Sequence, residues 1–141
     1  MMISTRGRYA LRVFIDLADQ YLTFKNIRLK DISERQSISL KYLENIMSLL
    51  VKNKLVEGTH GKGGGYKLTR KPEEYTVGEI LRLTEVSLAP VSCLDCEGEE
   101  CPQKETCRTL PMWRNLEKII TDYLDGITIA DLQNSEEGMW I

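Results

Sequence analysis

Apolar residues recur at helical spacing across residues 8–22, where Tyr9, Ala10, Val13, Phe14, Leu17, Ala18 and Tyr21 form one stripe and predict a first helix. A short connection over residues 22–28 leads to Leu29–Gln36, which reads as a brief second helix with Leu29 and Ile32 turned inward. Ser37, Ile38 and Ser39 then make a tight turn. Ser39 suits the N-cap of a third helix, because its hydroxyl can accept from an early backbone N–H. That helix runs to about Asn53, with Leu40, Leu43, Met47 and Leu50 as its buried face and Ile46 beside them; Lys41, Tyr42, Glu44, Asn45 and Ser48 fall on its other faces. The period next switches from helical to alternating. Residues 54–59 and 65–70 alternate polar and apolar positions, as half-buried strands do, and His60-Gly-Lys-Gly-Gly64 joins them as a hairpin tip. Pro72 opens a connection, and Thr76-Val-Gly-Glu79 matches a capping box that starts a helix through about Glu85. Residues 109–125 predict a long amphipathic helix on which Trp113, Leu116, Ile120 and Leu124 form a stripe widened by Ile119 and Tyr123. The tail from Gln133 is polar, and no internal repeat is present.

The expected fold class is mainly α with a small β-hairpin. A short helix, a tight turn and a longer helix with a polar leading end make a helix-turn-helix over about 29–53. The hairpin over about 54–70 adds a wing. The chain accordingly divides into a winged helix-turn-helix over 1–75, a second span over 76–132 and a tail over 133–141. In such a module the second helix must enter the major groove with its N-terminal side chains aimed at base edges. Ser39, Lys41, Tyr42, Glu44 and Asn45 hold those positions. Lysine suits guanine acceptors or phosphate, asparagine suits adenine, and glutamate accepts from cytosine. In the wing, His60, Lys62, Gly63, Gly64, Gly65 and Tyr66 are the candidate contacts, since glycines let the backbone approach a phosphate or a minor groove. The bland alternatives are an ordinary helical pair and a plain hairpin loop. A nucleotide cradle does not fit. No Lys-Ser or Lys-Thr follows the glycines, and Tyr66 stands where a dinucleotide motif needs its third glycine.

Charge strengthens the nucleic-acid reading. The net charge of −2 conceals 14 Lys/Arg against 6 Asp/Glu in residues 1–71, and 5 against 15 in residues 72–141. The first half carries the electrostatic footprint of a phosphate-binding module, and the second half cannot bind a phosphate backbone on charge grounds.

All four cysteines fall in residues 93–107, as Cys93, Cys96, Cys101 and Cys107 in a C-x2-C-x4-C-x5-C pattern. The stretch contains one leucine among acidic and small residues, so its thiols serve no core. The 141-residue chain has no apolar run near the roughly 18 residues of a membrane span. Its N-terminus lacks the apolar core of a signal peptide. A cytoplasmic location is expected, where thiols stay reduced and clustered cysteines suggest metal or redox chemistry over disulfides. An iron–sulfur cluster, structural zinc and a cluster-free thiol sensor all remain open. Asp95, Glu97, Glu99 and Glu100 disfavour thiolate formation in the empty loop, which counts against the bare-thiol sensor. No nucleophile is paired with a base, and the only histidine lies in the wing, so no enzymatic step is expected. The long helix over 109–125 needs an apolar partner. A second copy of the chain is the natural one, with packing inside the monomer as the alternative.

Particular motifs give the chain a family likeness: Ser4-Thr-Arg-Gly-Arg-Tyr-Ala-Leu11, Asp31-Ile-Ser-Glu-Arg-Gln36, Ser39-Leu-Lys-Tyr-Leu-Glu44, Gly63-Gly-Gly-Tyr66, and Cys101-x5-Cys107 followed by Trp113. In these it resembles the IscR/NsrR/CymR-type family of bacterial winged-helix transcriptional regulators, and in look the iron–sulfur cluster regulators of the IscR kind most. The resemblance covers residues 1 to about 132. It implies a homodimeric repressor or dual regulator, dimerised through the helix 109–125, on palindromic promoter DNA. It also implies a [2Fe–2S] or [4Fe–4S] cluster in a sensor loop over about 90–108, whose state changes DNA affinity. Ser39, Lys41, Glu44 and Asn45 match the family's DNA-reading positions, and His60 stands where a wing arginine is typical. Cys101 and Cys107 match its second and third cysteines. The first is displaced: strict spacing would put it at Asp95, between Cys93 and Cys96. The non-cysteine ligands used by some members correspond to Leu110 and Arg8, which cannot replace them, so an extra cysteine stands in. A cluster-free regulator of cysteine or sulfur metabolism, answering to thiol oxidation, a small molecule or a partner protein, is the alternative in the same family.

Overall fold

The computed structural model describes residues 1–95 and 101–136. Cys96, Glu97, Glu99, Glu100 and Trp140 lie outside them. Six α-helices occur among the described residues: α1 (Thr5–Asp19), α2 (Leu29–Gln36), α3 (Leu40–Lys52), α4 (Val77–Thr84), α5 (Leu110–Asp125) and α6 (Ile129–Gln133). Two strands, β1 (Val56–Thr59) and β2 (Gly65–Leu68), pair antiparallel with Val56 opposite Leu68 and Thr59 opposite Gly65. The chain is therefore mainly helical with one hairpin, as its pattern predicts.

Helix α1 starts three residues before the expected start at residue 8, because Ser4 caps it by accepting the Gly7 N–H at 3.0 Å. It also ends earlier than expected. Tyr21–Thr23 is a separate 3-10 turn, closed by Phe24 in the left-handed region at φ 56°. Helix α2 ends at Ser37, also left-handed at φ 53°, and the Ser33 hydroxyl donates to the Ile38 carbonyl at 2.5 Å to close the turn. Ser39 caps α3 as expected, accepting from the Tyr42 N–H at 3.2 Å. Leu43, Ile46, Met47 and Leu50 are buried, but Leu40 is 41% exposed. As the first residue of α3 it lies outside the layer that the next turns bury. Thr76 accepts from the Glu79 N–H at 3.1 Å, but the Glu79 carboxylate does not return to complete the box; it takes Arg70 at 2.7 Å.

One hydrophobic cluster joins Ala10, Phe14 and Leu17 of α1 with Ile32, Ile38, the inner face of α3, Leu55, Val56 and Leu68 beneath the wing, Tyr75, Ile80 and Ile129. Ile129 belongs to α6, which the sequence pattern did not predict. The chain returns after α5. Thr76 and Thr128 form a bridge, Val77 donates to the Ile127 carbonyl at 2.9 Å, and Ile129 donates to the Tyr75 carbonyl at 3.0 Å. Thr128 and Asp131 then cap α6 reciprocally.

Tyr75 anchors the wing to this core. Its buried hydroxyl donates to the Leu55 carbonyl at 2.7 Å and accepts from the backbone N–H groups of Thr69 and Arg70, both at 3.0 Å. Tyr75→Phe is therefore expected to lower unfolding stability by about 2 kcal/mol, because it strands groups that had partners. Urea titration followed by circular dichroism checks this; a loss within about 0.5 kcal/mol would mean that water takes over the hydroxyl's partners.

Candidate DNA-reading surface and cysteine loop

The polar face of α3 is set by what holds the helix-turn-helix rigid. Asp16 of α1, only 3% exposed, accepts Arg35 Nε and Nη2 at 3.0 and 2.8 Å and Gln36 Nε2 at 3.0 Å. Its hydrogen bonds raise the Arg35 pKa above that of a free arginine. This pins α2 on α1, and the Ser37 turn then fixes α3. Lys41, Glu44 and Asn45 are exposed on the outer face of α3. Ser39 lies beside them, its hydroxyl oxygen serving as the cap. Tyr42 is half-buried and sits edge-on against Tyr9 of α1, ring centroids 5.4 Å apart, with the Arg12 guanidinium over the other ring.

The wing tip is built from glycines, some held by a positive φ and others by close backbone contact. Gly61 and Gly63 adopt φ of 87° and 76°. Gly65, at φ 145°, would place a Cβ 2.5 Å from the Ile27 carbonyl oxygen. That contact is close because the chain ahead of α2 pairs with the wing. Ile27 and Tyr66 exchange N–H···O bonds of 2.8 Å in both directions, and Asn26 Nδ2 donates to the Gly63 carbonyl at 3.2 Å. His60 and Lys62 project from the tip as exposed side chains, while Gly64, Gly65 and Tyr66 are half-buried at its base.

Three more polar residues join this surface and were missed as contacts in the sequence. Arg28, Ser48 and Lys52 line a groove of about 640 Å³ between α3 and the wing, together with His60 and Tyr66. The signal was legible in the spacing. Lys41, Asn45, Ser48 and Lys52 recur every three or four residues and so share a helical face.

The cysteines lie across the linker between α4 and α5. Cys93 is exposed in the 3-10 turn Ser92–Leu94, and Cys101 is exposed. Cys107 sits just ahead of α5, where its Sγ is 3.3 Å from Thr109 Oγ1. The Thr109 hydroxyl, and then the backbone N–H groups of Thr109 and Leu110, hold its pKa below the usual thiol range. Cys96 is not among the described residues, and the described ones gather no group of three ligand side chains around one point. The donor chemistry nonetheless fits a metal–sulfur group: these are thiols on a polar linker, none of them is in the core cluster, and one is biased toward thiolate.

Both ends of this linker are tied to the rest of the molecule. At its start, the Glu85 carboxylate accepts from the N–H and the hydroxyl of Ser4, each at 2.9 Å, and Arg6 donates to the Thr84 carbonyl. At its end, α5 packs along α4, and Arg82 holds Asp125 at 2.6 Å. Leu110 is buried, and Trp113, Ile120 and Leu124 are half-buried, whereas Met112, Ile119 and Tyr123 are 54%, 57% and 58% exposed. With Leu116 they form an apolar face that no described residue covers.

This combination of winged helix and cysteine linker has relatives. A family model described as Rrf2, iron-dependent transcriptional regulator, matches residues 3–135. The chain belongs to the Rrf2 family. It is 39% identical over 137 residues to the HTH-type transcriptional regulator IscR of Erwinia tasmaniensis, covering 97% of this chain and 81% of that one. Among solved structures it resembles CymR, the global cysteine regulator of B. subtilis, with a TM-score of 0.78 at 32% identity, covering 97% of this chain and 99% of the other. It also resembles T. potens IscR, with a TM-score of 0.73 at 34% identity over 99% and 91% of the two chains. This Rrf2 protein is thus a winged-helix, DNA-binding transcriptional regulator and not an enzyme. None of its described helices is long and apolar enough to cross a membrane.

Proposed function

We propose that this regulator binds palindromic promoter DNA as a cytoplasmic homodimer, chiefly as a repressor, and senses iron–sulfur cluster, redox or nitric oxide status. The sensor is a [2Fe–2S] or [4Fe–4S] cluster held by Cys93, Cys96, Cys101 and Cys107. The observation that carries this reading is the anchoring of the cysteine linker at both ends. Its first residue clasps the start of α1, and its last cysteine abuts the start of α5. Helix α1 in turn bears on the recognition helix through Tyr9 and Tyr42. A linker that reorders when a cluster is gained, oxidised, nitrosylated or lost pulls on both. The spacing and tilt of the two recognition helices then follow.

The bases are read by Ser39, Lys41, Tyr42, Glu44 and Asn45, with His60, Lys62 and Gly63–Tyr66 of the wing at the adjacent groove. Anaerobic purification tests the sensor: a brown protein with visible absorption and stoichiometric iron and sulfide is expected. Glu44→Ala tests the reader. It is expected to remove about 1–3 kcal/mol of discrimination at one base pair of each half-site. An unchanged ranking across a panel of operator variants would show that Glu44 reads no base. The likeness to the B. subtilis cysteine regulator favours a second reading, a cluster-free regulator of cysteine metabolism. Protein that stays colourless and iron-free after anaerobic reconstitution would select it.

A further inference from the structure

We infer that the groove between α3 and the wing is a seat for one stretch of DNA backbone, with Arg28 and Lys52 as its phosphate ligands and Ser48 as a neutral donor. This rests on the DNA-binding reading above and adds a set of contacts to it. The geometry follows from how a winged helix must sit on a duplex. If the leading end of α3 lies in the major groove and the wing tip in the neighbouring minor groove, the strand that separates those grooves must cross the gap between helix and wing. That gap is the groove lined by Arg28, Ser48, Lys52, Gly58, His60 and Tyr66.

Its chemistry suits a phosphate. Lys52 and Ser48 continue the face of α3 that carries Lys41 and Asn45, so base reading and backbone seating share one line of the helix. Lys52 makes no ion pair among the described residues. Arg28 holds Asp31 through Nε and Nη2 at 3.2 and 3.3 Å, with 71% of its side chain exposed. A surface pair of that kind is weak, so the guanidinium is readily redirected to a phosphate. Among the described residues no carboxylate lines the groove itself, and Asp31 reaches it only through Arg28. Glu57, on the other face of the hairpin, lines the opposite hollow with Lys67. On the wing side Gly58 and Gly64 present backbone alone, and Tyr66 lies over Gly58, its ring carbon 3.1 Å from where a Cβ would stand.

The test uses the full chain and a duplex selected from a random-sequence pool by the wild-type protein, with affinity measured against salt concentration. Lys52→Gln and Arg28→Gln each remove one phosphate contact from each protomer of the dimer, and each is expected to lower the slope of log K against log[salt] by about 1.8. Each should weaken binding roughly 25- to 100-fold at 0.1 M salt, equally across operator variants. Both residues are exposed, so thermal unfolding confirms that the variants fold. A slope unchanged in either variant, or a reordered operator ranking, overturns the seat while leaving the DNA-binding reading intact. Failure of the wild-type chain to select any duplex overturns that reading and the seat together.

Discussion

Ile119→Glu is expected to yield a folded chain that sediments as a monomer and binds a two-half-site operator roughly 10²- to 10⁴-fold more weakly than wild type. The described residues leave one apolar face of α5 uncovered. Met112, Leu116, Ile119 and Tyr123 are spaced four, three and four residues apart, so they lie on one side of the helix. The helix itself packs on α4, and the Arg82–Asp125 pair holds its C-terminal end in place. A second copy presenting the same face supplies the missing cover under twofold symmetry. Glutamate at the centre of that face places a charge in a desolvated contact, which dimerisation cannot offset. In the monomer the side chain at 119 is 57% exposed, so folding is spared. The large loss in affinity comes from linkage: once one recognition helix is bound, the second binds at high effective concentration only if the two are joined. Sedimentation velocity and operator titration measure both halves of the expectation. A variant that remains dimeric would place the interface elsewhere.

How much of this was legible in the sequence depends on which force sets each feature. The helices of the winged helix stood out because a single core imposes a strict period on α1, α2 and α3. Their ends did not, since ends follow from caps and local turns: Ser4 lengthens α1 at one side and the 3-10 turn at Tyr21 shortens it at the other. Helix α6 escaped because five residues carry too few apolar positions to show a period. Ile129 and Ala130 supply its buried face, and only the Thr128–Asp131 capping pair marks it locally. Its place against α1 is set by backbone pairing of Thr76 with Thr128, a long-range contact that no local pattern reports.

The candidate site divides in the same way. The exposed candidates on α3 could be chosen from position alone, because a helix of this kind has few outward-facing residues near its start. Tyr42 was harder: its ring is shared between the surface and Tyr9, which sequence position cannot show. Lys52 could have been found from its spacing along α3, whereas Arg28 was hidden because it joins that face only when the wing pairs with the segment ahead of α2. The Glu85 clasp was equally hidden. It joins residues 81 apart in sequence and needs Gly7, since a Cβ there would stand 2.2 Å from the Glu85 carboxylate.

Cys107→Ser is expected to lower the iron retained after anaerobic reconstitution by at least about tenfold, since loss of a direct ligand exceeds the ten- to hundredfold effect typical of its supporting partners. Serine keeps the size and the hydrogen bond to Thr109, yet its hydroxyl does not ionise near neutral pH, so it offers no anionic donor. Cys107 suits the test because its surroundings already favour the thiolate. The Thr109 hydroxyl and the N–H groups that open α5 point at the sulfur. Cys101→Ser should behave alike. Cys93→Ser and Cys96→Ser decide how many thiols the group takes. Two losses mean that all four are ligands, and one loss means that the other is spare. Asp95→Ala acts as the comparison, since carboxylate ligation predicts loss there and an all-thiolate site predicts none. Wild-type protein that returns colourless with one equivalent of zinc would replace the cluster by a tetrahedral structural site, for which the same four thiols suffice. Iron retained in Cys107→Ser at the wild-type level would remove the helix-start thiol from the ligand set, and with it the link from the sensor to α5.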